Sequence, residues 1–117
     1  MQNFKELKVW KLSIELSKLV FEITRTFPNE HKFGLSNQLF RCAVSIPSNI
    51  AEGCGRKLDK EFKQFVSISL GSSFELETQI IIAKEVDLIT LEQFDIINNK
   101  LLEIQKMLNG LSKSLDN

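Results

Sequence analysis

The stretch Arg41-Cys42-Ala43-Val44-Ser45-Ile46-Pro47-Ser48-Asn49-Ile50-Ala51-Glu52-Gly53-Cys54-Gly55-Arg56 combines helical spacing with small, polar and helix-breaking residues. Arg41, Ser45, Asn49, Glu52 and Arg56 recur at i, i+4, i+8, i+11 and i+15, so on a helix their side chains form one stripe. Val44, Ile46, Ile50 and Ala51 between them are apolar or small. A proline inside a helix removes a backbone hydrogen bond and costs about 3 kcal/mol, so Pro47 implies a kink or a close packing partner. Gly53 and Gly55 follow as residues able to take the left-handed conformation that ends helices. A helix is therefore expected from Gly34-Leu35-Ser36, with Ser36 as its N-cap, through to these glycines.

The flanks repeat the helical period. Between Phe4 and Phe27, the apolar residues Phe4, Leu7, Trp10, Ile14, Val20 and Phe21 fall on one face, broadened by Leu16, Leu19 and Ile23. Pro28 predicts the stop, because a residue preceding proline is pushed out of the helical region. A third helix is predicted from an Asp59 N-cap, carrying Phe62, Phe65, Val66, Ile68, Leu70, Phe74, Leu76 and Ile80 to Ile82. Its run Ser67-Ile68-Ser69-Leu70-Gly71-Ser72-Ser73 is nearly without bulk, which lets two helix backbones approach closely. It is expected to pack on the small-residue side of the second helix. Thr90 with Gln93 forms a capping-box-like start for a fourth helix, which carries Leu91, Phe94, Ile97, Leu101, Ile104, Leu108, Leu111 and Leu115. Ser112 to Asn117 reads as a fraying tail. Four amphipathic helices with short links predict an all-α fold, an antiparallel up-down four-helix bundle, with residues 1–117 as a single domain.

At 117 residues and 43% hydrophobic, the chain is sized for one core. Its 15 basic and 15 acidic residues cancel, which argues against a polybasic coat for nucleic acid or membranes. The distribution is uneven: residues 1–74 hold 11 basic and 7 acidic groups, and residues 75–117 hold 4 and 8. No segment has the roughly 18 apolar residues of a membrane span, and the charged start lacks a signal-peptide core, so a soluble cytoplasmic protein is expected. Cys42 and Cys54, twelve residues apart on one helix, would lie about 18 Å apart, beyond disulfide reach. Both are expected as free thiols.

Little of the sequence suggests catalysis. The single histidine, His31, falls in a polar loop, and no zinc-ligand spacing, Glu-x-x-His pair or P-loop occurs, so no cofactor is expected. The polar stripe is the main candidate site: Arg41, Ser45, Pro47, Asn49, Glu52, Gly53 and Arg56, with Glu75 from the third helix. Burial of its charges would require pairing, predicting an ion-pair network with Glu75 or Glu77. A second candidate is a basic patch of Arg56, Lys57, Lys60 and Lys63 for phosphate backbones, diluted by Asp59 and Glu61 and without stacking tyrosine or tryptophan.

These residues together resemble the 23S rRNA intervening-sequence proteins, a bacterial family historically labelled ribosomal-protein-like. The resemblance rests on Phe4-x-x-Leu7-x-x-Trp10, on Gly34-Leu35 following Pro28, and on Gln38-Leu39-x-Arg41. It continues through Ser45-Ile46-Pro47-Ser48-Asn49-Ile50-Ala51-Glu52-Gly53, Gly71-Ser72 with Glu75-Leu76-Glu77-Thr78-Gln79, and Met107-Leu108-x-Gly110-Leu111. It implies an up-down four-helix bundle that assembles into a homopentameric ring, with no defined activity for most members. A related branch, the accessory proteins of diversity-generating retroelements, binds nucleic acid and a reverse transcriptase. The expected function is thus a non-enzymatic homo-oligomeric scaffold. The alternative is an RNA- or DNA-binding accessory factor acting through the Arg56–Lys63 rim, and a partner protein is a further expectation.

Overall fold

The computed structural model describes residues 3–31 and 34–116. Among these there are four long helices and no strand: α1 (Lys8–Thr24), α2 (Leu35–Cys54), α3 (Asp59–Glu85) and α4 (Leu91–Ser114). Short 3-10 turns at Phe4–Glu6 and Asn29–His31 precede α1 and α2. Each helix packs on its neighbour in sequence, and α1 closes the circuit against α4. The links between helices several turns long are too short to return along the molecule, so successive helices run antiparallel in a body 46 × 22 × 20 Å.

The core follows the predicted faces in part, for Phe21, Ile68, Phe74 and Leu91, read into the same apolar sets, are exposed. Leu16 and Val20 of α1, Ile46 and Ile50 of α2, Val66, Leu76 and Ile80 of α3, and Ile97, Leu101, Ile104 and Leu108 of α4 are almost wholly buried. The isoleucine run is helical, with Ile80 in the core and Ile81 and Ile82 outside. Thr90 and Gln93 form the predicted reciprocal box: the Thr90 hydroxyl accepts from the Gln93 N–H at 3.0 Å, and the Gln93 side chain accepts from the Thr90 N–H at 2.9 Å.

The ends differ from expectation. The first helix does not run unbroken from Phe4. Asn3 caps the 3-10 turn by accepting from the Lys5 N–H, Leu7 is extended, and α1 starts at Lys8. Ser36 is not a cap. It lies buried in the first turn of α2 and donates to the Thr24 carbonyl of α1 at 3.3 Å, while Gly34 occupies the N-cap position. Asp59 begins α3 rather than capping it, because Leu58 is the extended residue before it. Gly55 ends α2 in right-handed geometry (φ −79, ψ −5), and no glycine of the described residues has positive φ. The left-handed position falls instead to Asp87 (φ 63) after α3. There the Asp87 N–H reaches the Lys84 carbonyl and the Leu88 N–H the Ala83 carbonyl, closing a Schellman motif. The C-terminal tail is shorter than predicted, since α4 continues to Ser114; Asn117 lies outside the described residues.

Candidate functional site

The seam between α2 and α3 holds most of the predicted stripe. Its close approach comes from small side chains on both helices. Ser69 is fully buried and donates to the Ile46 carbonyl at 2.9 Å, and the Ser45 and Ser72 hydroxyls are hydrogen-bonded at 2.8 Å. Asn49 Nδ2 donates to the Ser45 carbonyl at 2.8 Å and to Ser45 Oγ at 3.0 Å, so one amide ties the hydroxyl pair to α2. The predicted meeting of the Ser67–Ser73 run with α2 is present in these contacts.

Pro47 and Gly53 point away from this polar line. Pro47 lies within the uninterrupted span of α2 and is buried, facing a concavity shared with Phe4, Trp10 and Ile14. Having no N–H, it cannot donate to the Ala43 carbonyl one turn earlier, and its compensation is apolar packing against the N-terminal segment and α1. Gly53 is buried against α3. A Cβ there would stand 2.7 Å from Phe62 Cδ1 and 2.8 Å from Phe65 Cβ. Its role is to make room, not to supply a backbone turn.

The charges of the stripe are exposed. Arg41, Glu52, Arg56 and Glu75 all reach solvent, and among the described residues none of them forms an ion pair. The condition for a network with Glu75 or Glu77, burial of these charges, is not met, and no such pair forms among the described residues. Glu77 accepts from Gln105 Nε2 of α4 at 2.9 Å instead. Arg41 and Glu75 flank an open groove of about 380 Å³ whose wall includes Gln38, Cys42, Ser45, Ser72 and Gln79. Gln79 Nε2 donates to Gln38 Oε1 at 3.3 Å, and its own Oε1 is enclosed without a partner. Gln38, Ser72 and Gln79 were not among the stripe residues. Their signal was spacing, since they stand three or four positions from Arg41 or Glu75 on the same faces.

Cys42 sits at the base of this groove. Burial above all, then a hydrogen bond to Glu75 and the charge of that carboxylate, pushes its thiol from 9.0 up to about 12. Burial also raises Cys54. Both cysteines are free, and at Cys42 the charge of Arg41, which favours a thiolate, is outweighed by burial and by Glu75. Native Cys42 should react with iodoacetamide at pH 8 at least about 100-fold more slowly than in urea, given the thiolate fractions. Comparable rates in the two states would contradict its environment. The same shift bears on stability. Because the folded pKa lies above the unfolded one, this contribution is fully present below pH 8 to 9 and is lost as pH rises toward 12.

The basic patch is only partly available. The Arg56 guanidinium lies 4.6 Å over the Phe65 ring, and Lys63 is paired with Asp116 near the end of α4. Lys57 and Lys60 are exposed and in no ion pair among the described residues. His31 is 3.7 Å from the Glu30 carboxylate in the α1–α2 link. No cluster of three His, Cys, Asp or Glu side chains able to hold a metal occurs among the described residues, and none of their helices is long and apolar enough to cross a membrane.

A crystal structure of a protein of unknown function from the S23 ribosomal protein family of Bacteroides thetaiotaomicron is similar to this chain. It superimposes with a TM-score of 0.84 at 30% identity, covering 90% of this chain and 95% of the other. No curated protein matches. The model of the 23S rRNA-intervening sequence protein family matches residues 5–110, spanning all four helices up to the last turn of α4, and the chain belongs to that family.

Proposed function

We propose that the protein is a non-enzymatic, cytoplasmic, homo-oligomeric scaffold, a ring of five copies by the resemblance, in which the outer face of α3 meets a neighbouring copy. The observation that carries this reading is the composition of that face. Ser67, Ile68, Gly71, Phe74, Thr78, Ile81 and Ile82 point away from the core, and Phe74 and Ile82 are 49% and 47% exposed. A helix apolar on both sides is the pattern of one buried on both sides. The α1–α2 side has an apolar groove of about 420 Å³ lined by Ile14, Leu19, Phe21 and Phe40. A ridge and a groove on different helices suit a heterologous contact, the kind that closes rings. Arg41 and Glu75, in no ion pair among the described residues, border the same face and supply polar groups for its rim.

Native mass spectrometry tests this. Wild-type protein is expected as an oligomer, and the Phe74→Glu, Ile82→Glu double variant as a helical monomer, because both side chains are half outside the protomer core. A monomeric wild type at micromolar concentration would refute the proposal. The nucleic-acid reading has narrower support, since of its four residues only Lys57 and Lys60 are in no ion pair or ring contact among the described residues. It requires binding that falls steeply with salt.

A further inference from the structure

The three most exposed large apolar side chains of the described residues are Leu58 at 60%, Val86 at 57% and Leu91 at 64%. None lies on the α3 outer face discussed above. Leu58 precedes α3, and Val86 and Leu91 flank the link that follows it. With 27 residues at about 1.5 Å each, α3 is roughly 40 Å long and spans most of the 46 Å axis of the molecule. The exposed leucines and valine thus mark opposite ends of the bundle.

The chain segment around each apolar knob carries charge of one dominant sign. From Arg56 to Lys63 there are four basic and two acidic residues, and from Lys84 to Asp95 there are one basic and four acidic. At the first end Lys57 and Lys60 are exposed beside Leu58, while Asp59 and Glu61 sit in the first turn of α3, where acidic groups meet the helix N-terminus. At the second end Glu85, Asp87, Glu92 and Asp95 are exposed around Val86 and Leu91. Lys84 is drawn over the Phe94 ring at 4.5 Å, and the α1–α2 link at the same end adds Arg25, paired with Glu22, and Glu30 beside His31. Both ends therefore present an apolar knob in a charged collar, and the collars are opposite.

We propose that copies of this chain associate end to end, the Leu58 end of one against the Val86–Leu91 end of the next. The contact is heterologous and runs along the bundle axis, so it does not close on itself and extends into a chain, or stacks rings if lateral assembly also occurs. It does not depend on the α3 outer face. Its attraction acts between exposed charges and is screened as the Debye length shrinks from about 10 Å at 0.1 M salt to about 3 Å at 1 M.

Sedimentation velocity on the full chain provides the test. The weight-average mass should be at least about twofold higher at 0.02 M salt than at 1 M, where screening is near complete. Lys57→Glu with Lys60→Glu turns the Arg56–Lys63 collar acidic, and Glu85→Lys with Glu92→Lys turns the Lys84–Asp95 collar basic. Each variant alone should lose the low-salt increase while keeping its far-ultraviolet helical spectrum, and an equimolar mixture of the two should regain it. Three results would overturn the proposal: a wild-type mass indifferent to salt, a mixture that stays unassociated, or loss confined to the lysine variant. The last would mean that the basic end engages some other acidic partner. Repeating the series in the Phe74→Glu, Ile82→Glu background separates this contact from the lateral one.

Discussion

Gly53→Val is expected to lower the melting temperature by about 10 °C, the signature of roughly 3 kcal/mol in a chain of this size. Two effects oppose each other at this position. Glycine inside a helix is about 1 kcal/mol less favourable than alanine, so a side chain would stabilise α2 if there were room for it. There is none: a Cβ would fall 2.7 Å from Phe62 Cδ1 and 2.8 Å from Phe65 Cβ. The Phe62 ring is in the core, and Phe65 Cβ is fixed to the α3 backbone. Relief must come from moving α3 away from α2, and overpacking of that kind costs about 1 to 3 kcal/mol even for a few added atoms. Gly110 supplies the control. It is in α4, exposed, with nothing within 4 Å of its Cβ position, so Gly110→Ala should raise the melting temperature by the propensity difference alone. Thermal melts at one fixed protein concentration would compare the two. If Gly53→Val melts with the wild type, the α2–α3 spacing in the structure is wrong.

This contrast bears on how far the sequence could be read. Periodicity located all four helices, because each buries one face and the spacing of Leu16, Ile46, Leu76 or Leu101 with its neighbours records that face directly. The Thr90–Gln93 box was legible because its two bonds join residues three apart. Ser36, Asp59 and Gly53 were misread for a common reason: serine, aspartate and glycine serve helix ends and close packing alike, and which use applies depends on a segment distant in sequence. Ser36 answers to Thr24, and Gly53 to Phe62 and Phe65. Arg41, Ser45, Asn49 and Glu52 of the stripe lie on α2 while Arg56 falls beyond its end, and spacing does not say whether a line faces core or solvent when it mixes Ser45 with Arg41. The structure leaves Ser45 and Asn49 half buried and puts the charges outside. Where Pro47 packs was equally hidden, since its partners come from the N-terminal segment and α1.

The second large effect is expected at Ser69, one face of the same seam. Ser69 is fully buried and its hydroxyl donates to the Ile46 carbonyl at 2.9 Å. Ser69→Ala removes that bond, worth about 1 kcal/mol net, but alanine recovers about half of this in helix propensity, and Ile46 O can still accept its own helical N–H. The alanine variant should therefore melt within about 3 °C of the wild type. Ser69→Leu adds a branched side chain where two helix backbones are held together by serines. It loses the bond and overpacks the seam, for about 3 to 4 kcal/mol in all. Parting α2 from α3 at this level also pulls Ser72 from Ser45, and with it the two walls that carry Arg41 and Glu75. If those walls border a subunit contact, Ser69→Leu should lose oligomeric mass as well as thermal stability, whereas Ser69→Ala should keep both. A leucine variant that melts normally would show that the serines are not what sets the distance between these helices. One that is destabilised yet fully assembled would place the subunit contact away from this seam.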